Sequence, residues 1–150
     1  MNDVLHQLGV ELPDAASAVR VGVRLVLATI LGGCVGYERE RLRKAAGLRT
    51  HMLVALGSAL FVITSFEAGA PPGDMTRVVQ GIATGIGFVG AGTILKVPRR
   101  NEVHGLTTAA SVWLTAAIGV GVGLGRLWAP VAGVALAMLV LAVIRRVDER

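Results

Sequence analysis

The chain has 150 residues and a mass of 15.5 kDa; 53% are hydrophobic and 17% charged, with a mean hydropathy of +0.66 and a net charge of +5. A soluble domain carries roughly 25% charged residues, so the composition points to lipid as solvent and excludes intrinsic disorder. One cysteine excludes a disulfide framework, and 4% aromatics leave little to stack nucleic-acid bases, so the basic balance is assigned to loops and lipid head groups and no nucleic-acid partner is expected.

Residues 1–19 contain Asp3, Glu11 and Asp14 and lack a basic stretch, so they do not read as a cleavable signal. They read as a short periplasmic or interfacial segment broken by Pro13. Five apolar stretches follow, at about 20–37, 52–66, 78–95, 106–124 and 127–144. A spanning helix needs about 17–25 apolar residues, which the last three meet unaided. The second needs its flanking His51 and Glu67 near the interfaces. A soluble bundle is set aside because helices with almost no polar face cannot all be buried in so small a chain.

Lys and Arg counts orient the chain. Arg39, Arg41, Arg43, Lys44 and Arg49 lie in the first loop, Lys96, Arg99 and Arg100 in the third, and Arg145, Arg146 and Arg150 in the tail. The second and fourth loops hold only Arg77 and Arg126. The expected fold is therefore an all-α integral membrane protein, a five-transmembrane-helix bundle over 20–144. Its N-terminus is periplasmic and its tail, 145–150, cytoplasmic.

Charges inside a bilayer are costly and mark sites by default. Only 13 uncharged residues separate Arg24 from Glu38, about 20 Å of helix against the ~30 Å of a hydrocarbon core. Arg24 either snorkels outward or lies below head-group level, on the face it shares with Glu38. The fourth segment carries His104, Thr108, Ser111 and Thr115 in one stripe, and the third carries Arg77, Gln80 and Thr84. The two stripes are expected to face each other through interhelical hydrogen bonds. With Asp74, the intramembrane polar set is Arg24, Asp74, Arg77, Gln80, Thr108 and Ser111.

Gly32/Gly36, Gly81/Gly85 and Gly119/Gly123 repeat at i, i+4, the spacing that lets helix backbones approach closely within one chain or between copies of a homo-oligomer. Gly85, Gly87 and Gly90 spell a dinucleotide fingerprint, but inside an unbroken apolar run with no flanking strand, so the reading is helix packing. No catalytic, cofactor or metal site is expected. Glu38, Arg39, Arg49, His51, Glu102 and His104, at the inner ends of the first four segments, form the candidate polar cluster. Its histidines, with a reference pKa of about 6.5, would make it pH-sensitive. Glu38 and Glu40 also sit among Arg39, Arg41 and Arg43 and read as their neutralisers; with Glu38 in the cluster, Glu38→Gln is expected to do more harm than Glu40→Gln.

GYERER (36–41), GLRTHMLVALGSALF (47–61), Asp74 and Arg77 leading to GIGFVGAGTIL (85–95), and GLTTAASVWLTAAIGVGVGLG (105–125) resemble the membrane domain of the MgtC/SapB family. The resemblance implies a bacterial inner-membrane protein with a periplasmic N-terminus. Some members support growth at low magnesium and survival in macrophages, acting on the proton-translocating ATP synthase. Many relatives continue into a cytoplasmic ACT-like domain, so this chain reads as a short form. Thr107 and Leu114 stand where virulence-type members tend to have Asn and Cys.

Two functions follow as expectations. The first is a non-enzymatic regulator that docks with another membrane protein, the ATP synthase being the partner the resemblance implies. The alternative is a small transporter or channel component for Mg²⁺ or another cation. Magnesium favours oxygen ligands and needs only one or two carboxylates, and these would come from Glu38, Glu40 and Glu102 on one side and Glu67 and Asp74 on the other.

Overall fold

The computed structural model describes residues 14–97 and 102–148. Most of the expected N-terminal segment, the loop cations Arg99 and Arg100, and Arg150 fall outside these residues.

Helix α1 (Ala15–Arg41) is rich in Ala, Val and Leu and runs for 27 residues, about 40 Å at 1.5 Å per residue. It begins five residues before Arg20, so residues 15–19 belong to the first helix and not to a separate segment. It stops in a Schellman turn, where Arg43 N–H bonds the Glu40 carbonyl at 2.9 Å and Lys44 N–H the Arg39 carbonyl at 3.0 Å. Arg43 takes the left-handed position of that turn, at φ 52°.

Helices α2 (Leu48–Glu67) and α3 (Pro72–Ala91) follow, the latter opened by a proline at its first position. The expected third segment, 78–95, is displaced toward the N-terminus. The Thr93 hydroxyl bonds the Gly90 carbonyl at 2.8 Å and closes α3, and the chain passes into strand β1 (Leu95–Val97). With strand β2 (Glu102–His104) it forms an antiparallel hairpin in register Leu95↔His104 and Val97↔Glu102, an element the all-α expectation lacked. Gly105, at φ +94°, then starts α4 (Leu106–Gly123), with its α-carbon packed against the Thr93 carbonyl where no Cβ fits. Helix α5 (Trp128–Asp148) runs on through residues expected in the tail.

Among the described residues, three helices, α1, α2 and α4, are long and apolar enough to cross a membrane, and α3 is not among them. For α3 the cause is legible in its first half, which holds Asp74, Thr76, Arg77 and Gln80. The expected third segment, 78–95, is helical only as far as Ala91, where α3 ends. Helix α4 is central. It contacts every other helix, and 56% of its apolar window is buried against 33% for α2 and 22% for α1. The outer surface is apolar, presenting Val26, Ile30, Phe61, Trp113, Leu136 and Leu139.

Glycine sets the closest approaches. A Cβ on Gly32 would strike the His51 carbonyl and Ala55, and one on Gly36 would strike Leu48. On the far side of α2, Gly119 abuts the Ala55 carbonyl and Gly123 the Ala59 carbonyl. Helix α2 is thus clamped between the glycine faces of α1 and α4. Gly81 and Gly85 have the same spacing but meet nothing within 4 Å.

Candidate functional site

The polar groups of the bundle gather where the C-terminal end of α1 meets the N-terminal ends of α2 and α4. The α1–α2 corner is clasped by Glu40, whose carboxylate accepts the Leu48 N–H at 2.7 Å. An acceptor at this position satisfies one of the four N–H groups that open α2 without an intrahelical partner and complements the positive end of the helix dipole. A side chain on Gly47 would collide with that carboxylate. Glu40 is therefore a cap on α2 and not only a neutraliser of arginines.

One turn into α2, His51 is 0% exposed. Its Nδ1 lies 2.8 Å from the Gly47 carbonyl and its Nε2 3.1 Å from Ser111 Oγ on α4. A carbonyl only accepts, so Nδ1 carries the proton and Nε2 receives the serine hydroxyl. That hydroxyl also stands 2.8 Å from the Thr108 carbonyl, and Thr115 Oγ1 donates to the Ser111 carbonyl at 2.8 Å. Ser111 thus has two acceptors for one proton, and the two arrangements differ only by rotation about one bond.

Arg39 completes the site. Its side chain is buried to 4% exposure, and its Nε donates to Glu38 Oε2 at 2.6 Å, the Glu38 side chain being 15% exposed. Removing a cation from water is expensive unless a close partner compensates, and here the partner is the preceding residue.

The expected cluster is only partly assembled. Glu38, Arg39 and His51 share the junction, whereas Arg49 and His104 are exposed. Glu102 stands in β2 opposite Val97, and its side chain lies outside the described residues. Thr108, Ser111 and Thr115 are buried as one stripe, but they do not face α3. The stripe continues into Gly119, which lets α2 pack against that side of α4, so the hydroxyls meet His51. Gln80 and Thr84 are exposed, and Arg77, 83% exposed, reaches Asp74 at 3.7 Å. The expected pairing of the two polar stripes is thereby corrected.

At the opposite end of the bundle Arg24 turns inward. Helix α4 ends in a second Schellman turn, with Gly125 N–H on Val122 and Arg126 N–H on Gly121, both at 2.9 Å, and Gly125 at φ +75°. The Gly123 carbonyl is left over, and Arg24 Nη1 donates to it at 3.3 Å. Arg24 caps α4 and complements the negative end of its dipole. Neither Glu40 nor Arg24 announces this by local spacing, since each caps a helix other than its own. Among the described residues, no group of three or more His, Cys, Asp or Glu side chains is placed to hold a metal ion.

Apolar helices that turn their few polar groups onto one another define a helical membrane protein. Residues 25–150 match the MgtC family, and the chain belongs to that family. It is 42% identical over 135 residues to the Escherichia coli K12 protein named "Putative magnesium transporter YhiD", covering 85% of this chain and 62% of that one. It is 42% identical over 137 residues to protein SrpB of Synechococcus elongatus, covering 84% and 75%. It is 42% identical over 104 residues to protein MgtC of Salmonella typhimurium, covering 69% and 43%. The chain therefore spans less than two thirds of the E. coli and Salmonella relatives. No solved structure matches.

Proposed function

We propose that this chain is a non-enzymatic regulator in a bacterial inner membrane, acting in magnesium and membrane-potential homeostasis by docking with another membrane protein. All five helices cross the bilayer in this reading, with the N-terminus periplasmic and the C-terminus cytoplasmic. The observation that carries it is the open side of α3. Among the described residues, nothing stands within 4 Å of a side chain built on Gly57 of α2 or on Gly81, Gly85 or Gly87 of α3, and a groove of about 540 Å³ runs between the two helices. Its walls are Leu53, Phe61, Val78, Ile82 and Ile86. Phe88, 85% exposed, stands at its end of α3. Small residues bare the backbone for van der Waals contact and weak Cα–H hydrogen bonds with an incoming helix.

A second reading, a magnesium transporter component, is favoured by the printed name of the E. coli relative. Three of its five carboxylates have partners within the chain: Glu38 pairs with Arg39, Glu40 with the α2 backbone and Asp74 with Arg77. Two experiments separate the readings. Deleting the gene and following ATP level and membrane potential under magnesium limitation should change both if the chain regulates a partner such as the ATP synthase. Purified protein in liposomes should then pass no magnesium, and metal-dependent flux from the isolated chain would favour the transporter.

A further inference from the structure

At the end of the bundle remote from His51, α1 carries Arg20 and Arg24 one helical turn apart. Among the described residues no carboxylate lies within ion-pair distance of either guanidinium. Asp14 feels the charge of Arg20 at longer range, while Arg20 itself donates to the half-buried Ser17 hydroxyl at 2.7 Å. Arg24 spends one N–H on the Gly123 carbonyl, and its remaining donors have no partner among the described residues. Arg126 adds a third cation between Gly125 and Leu127, which both line the same pocket.

That pocket, of about 280 Å³, opens between the two α1 arginines and has Val19, Val23, Leu27 and Leu127 as its walls. Its lining combines two residues with fork-shaped donors and four aliphatic side chains. Guanidinium groups match phosphate oxygens in pairs, and a low-dielectric wall strengthens each contact. A small soluble anion would meet the arginines and leave the aliphatic wall unused. An amphiphile uses both. The volume lies just below the ~300–1,000 Å³ of sites that enclose drug-sized ligands, which suits a head group and the start of one chain.

We propose that this pocket binds an anionic glycerophospholipid, its phosphate held between Arg20 and Arg24 and its acyl chain lying along Val19, Val23, Leu27 and Leu127. The lipid supplies a negative group at ion-pair distance, which no described carboxylate does. The site lies on α1 and the α4–α5 connection, away from the α2–α3 groove, so it stands or falls independently of the docking reading.

The test is lipid binding to the full chain in detergent, read by mass spectrometry that preserves the complexes. The probes are phosphatidylglycerol, phosphatidylcholine and inorganic phosphate. Phosphatidylglycerol should be retained over phosphatidylcholine. Arg20→Gln should weaken its binding about tenfold, as expected for one charge-assisted hydrogen bond, with an unchanged melting temperature. Arg24→Lys, which keeps the charge and loses the fork, should weaken it too. Equal retention of the two lipids, full binding by Arg20→Gln, or displacement of the lipid by inorganic phosphate would each overturn the proposal, the last by marking a free-anion site.

Discussion

Arg39 and Glu38 show how one residue's burial dictates its neighbour's role. With Arg39 only 3% exposed, its charge depends on the carboxylate beside it. Glu38→Gln should lower stability by about 3 kcal/mol, the scale for stranding a buried ion. Glu40→Ala should cost about 1 kcal/mol, the scale of a lost helix cap. Thermal unfolding in detergent should rank the two in that order. Arg43 offers the opposite effect. It occupies the left-handed position of the α1 Schellman turn, where a side chain is strained by about 1 kcal/mol. Arg43→Gly should therefore raise the melting temperature, and a fall would mean that its side chain makes contacts worth more than the strain.

Among the helices, two pairs of glycines with identical spacing have opposite environments. Gly119 and Gly123 carry α4 against the α2 backbone, while Gly81 and Gly85 carry nothing. Gly119→Val should push α2 and α4 apart and cost several kcal/mol, of order 3 by the scale of overpacked cores, seen as loss of folded protein in detergent. Gly81→Ala with Gly85→Ala should leave the fold intact or slightly firmer, since Ala is the better helix former by about 1 kcal/mol. The same pair should impair the response to magnesium limitation if α3 docks with a partner.

This contrast marks what the sequence can tell. The spacing of Thr108, Ser111 and Thr115 identifies a face of α4, and period-3.6 patterning can do no more, because it carries no information on which helix comes to that face. The neighbour is decided by Gly119 at the end of the stripe, through a contact with Ala55 about 60 residues away. Glu40 and Arg24 are opaque for a related reason. Each serves a terminus that tertiary packing alone brings near, and loop charge reads equally well as ordinary neutralisation. The β1–β2 hairpin is opaque because its strands are only three residues long and each carries a charged residue, Lys96 or Glu102, that breaks the apolar pattern. By contrast, Leu48–Glu67 and Leu106–Gly123 contain the expected runs 52–66 and most of 106–124, since continuous apolar segments leave few alternatives to a helix.

For the molecule as a whole, α4 is an axle, with α2 clamped to one side by glycine and α3 held loosely on another. Large apolar side chains are exposed on all five helices, as lipid requires. Periplasmic reporter fusions at residues 69–70 and 125–126 should be active, and one at residues 44–45 inactive, if the five helices cross with the N-terminus outside. The reverse pattern would invert the bundle.

The docking account is tested most directly by a photocrosslinking amino acid placed at Gly85, with Ile30 on the exposed side of α1 as control, in cells growing at low magnesium. The account predicts a defined protein adduct from Gly85, lost when the partner's gene is deleted, and only lipid adducts from Ile30. Lipid adducts alone from both positions would contradict it.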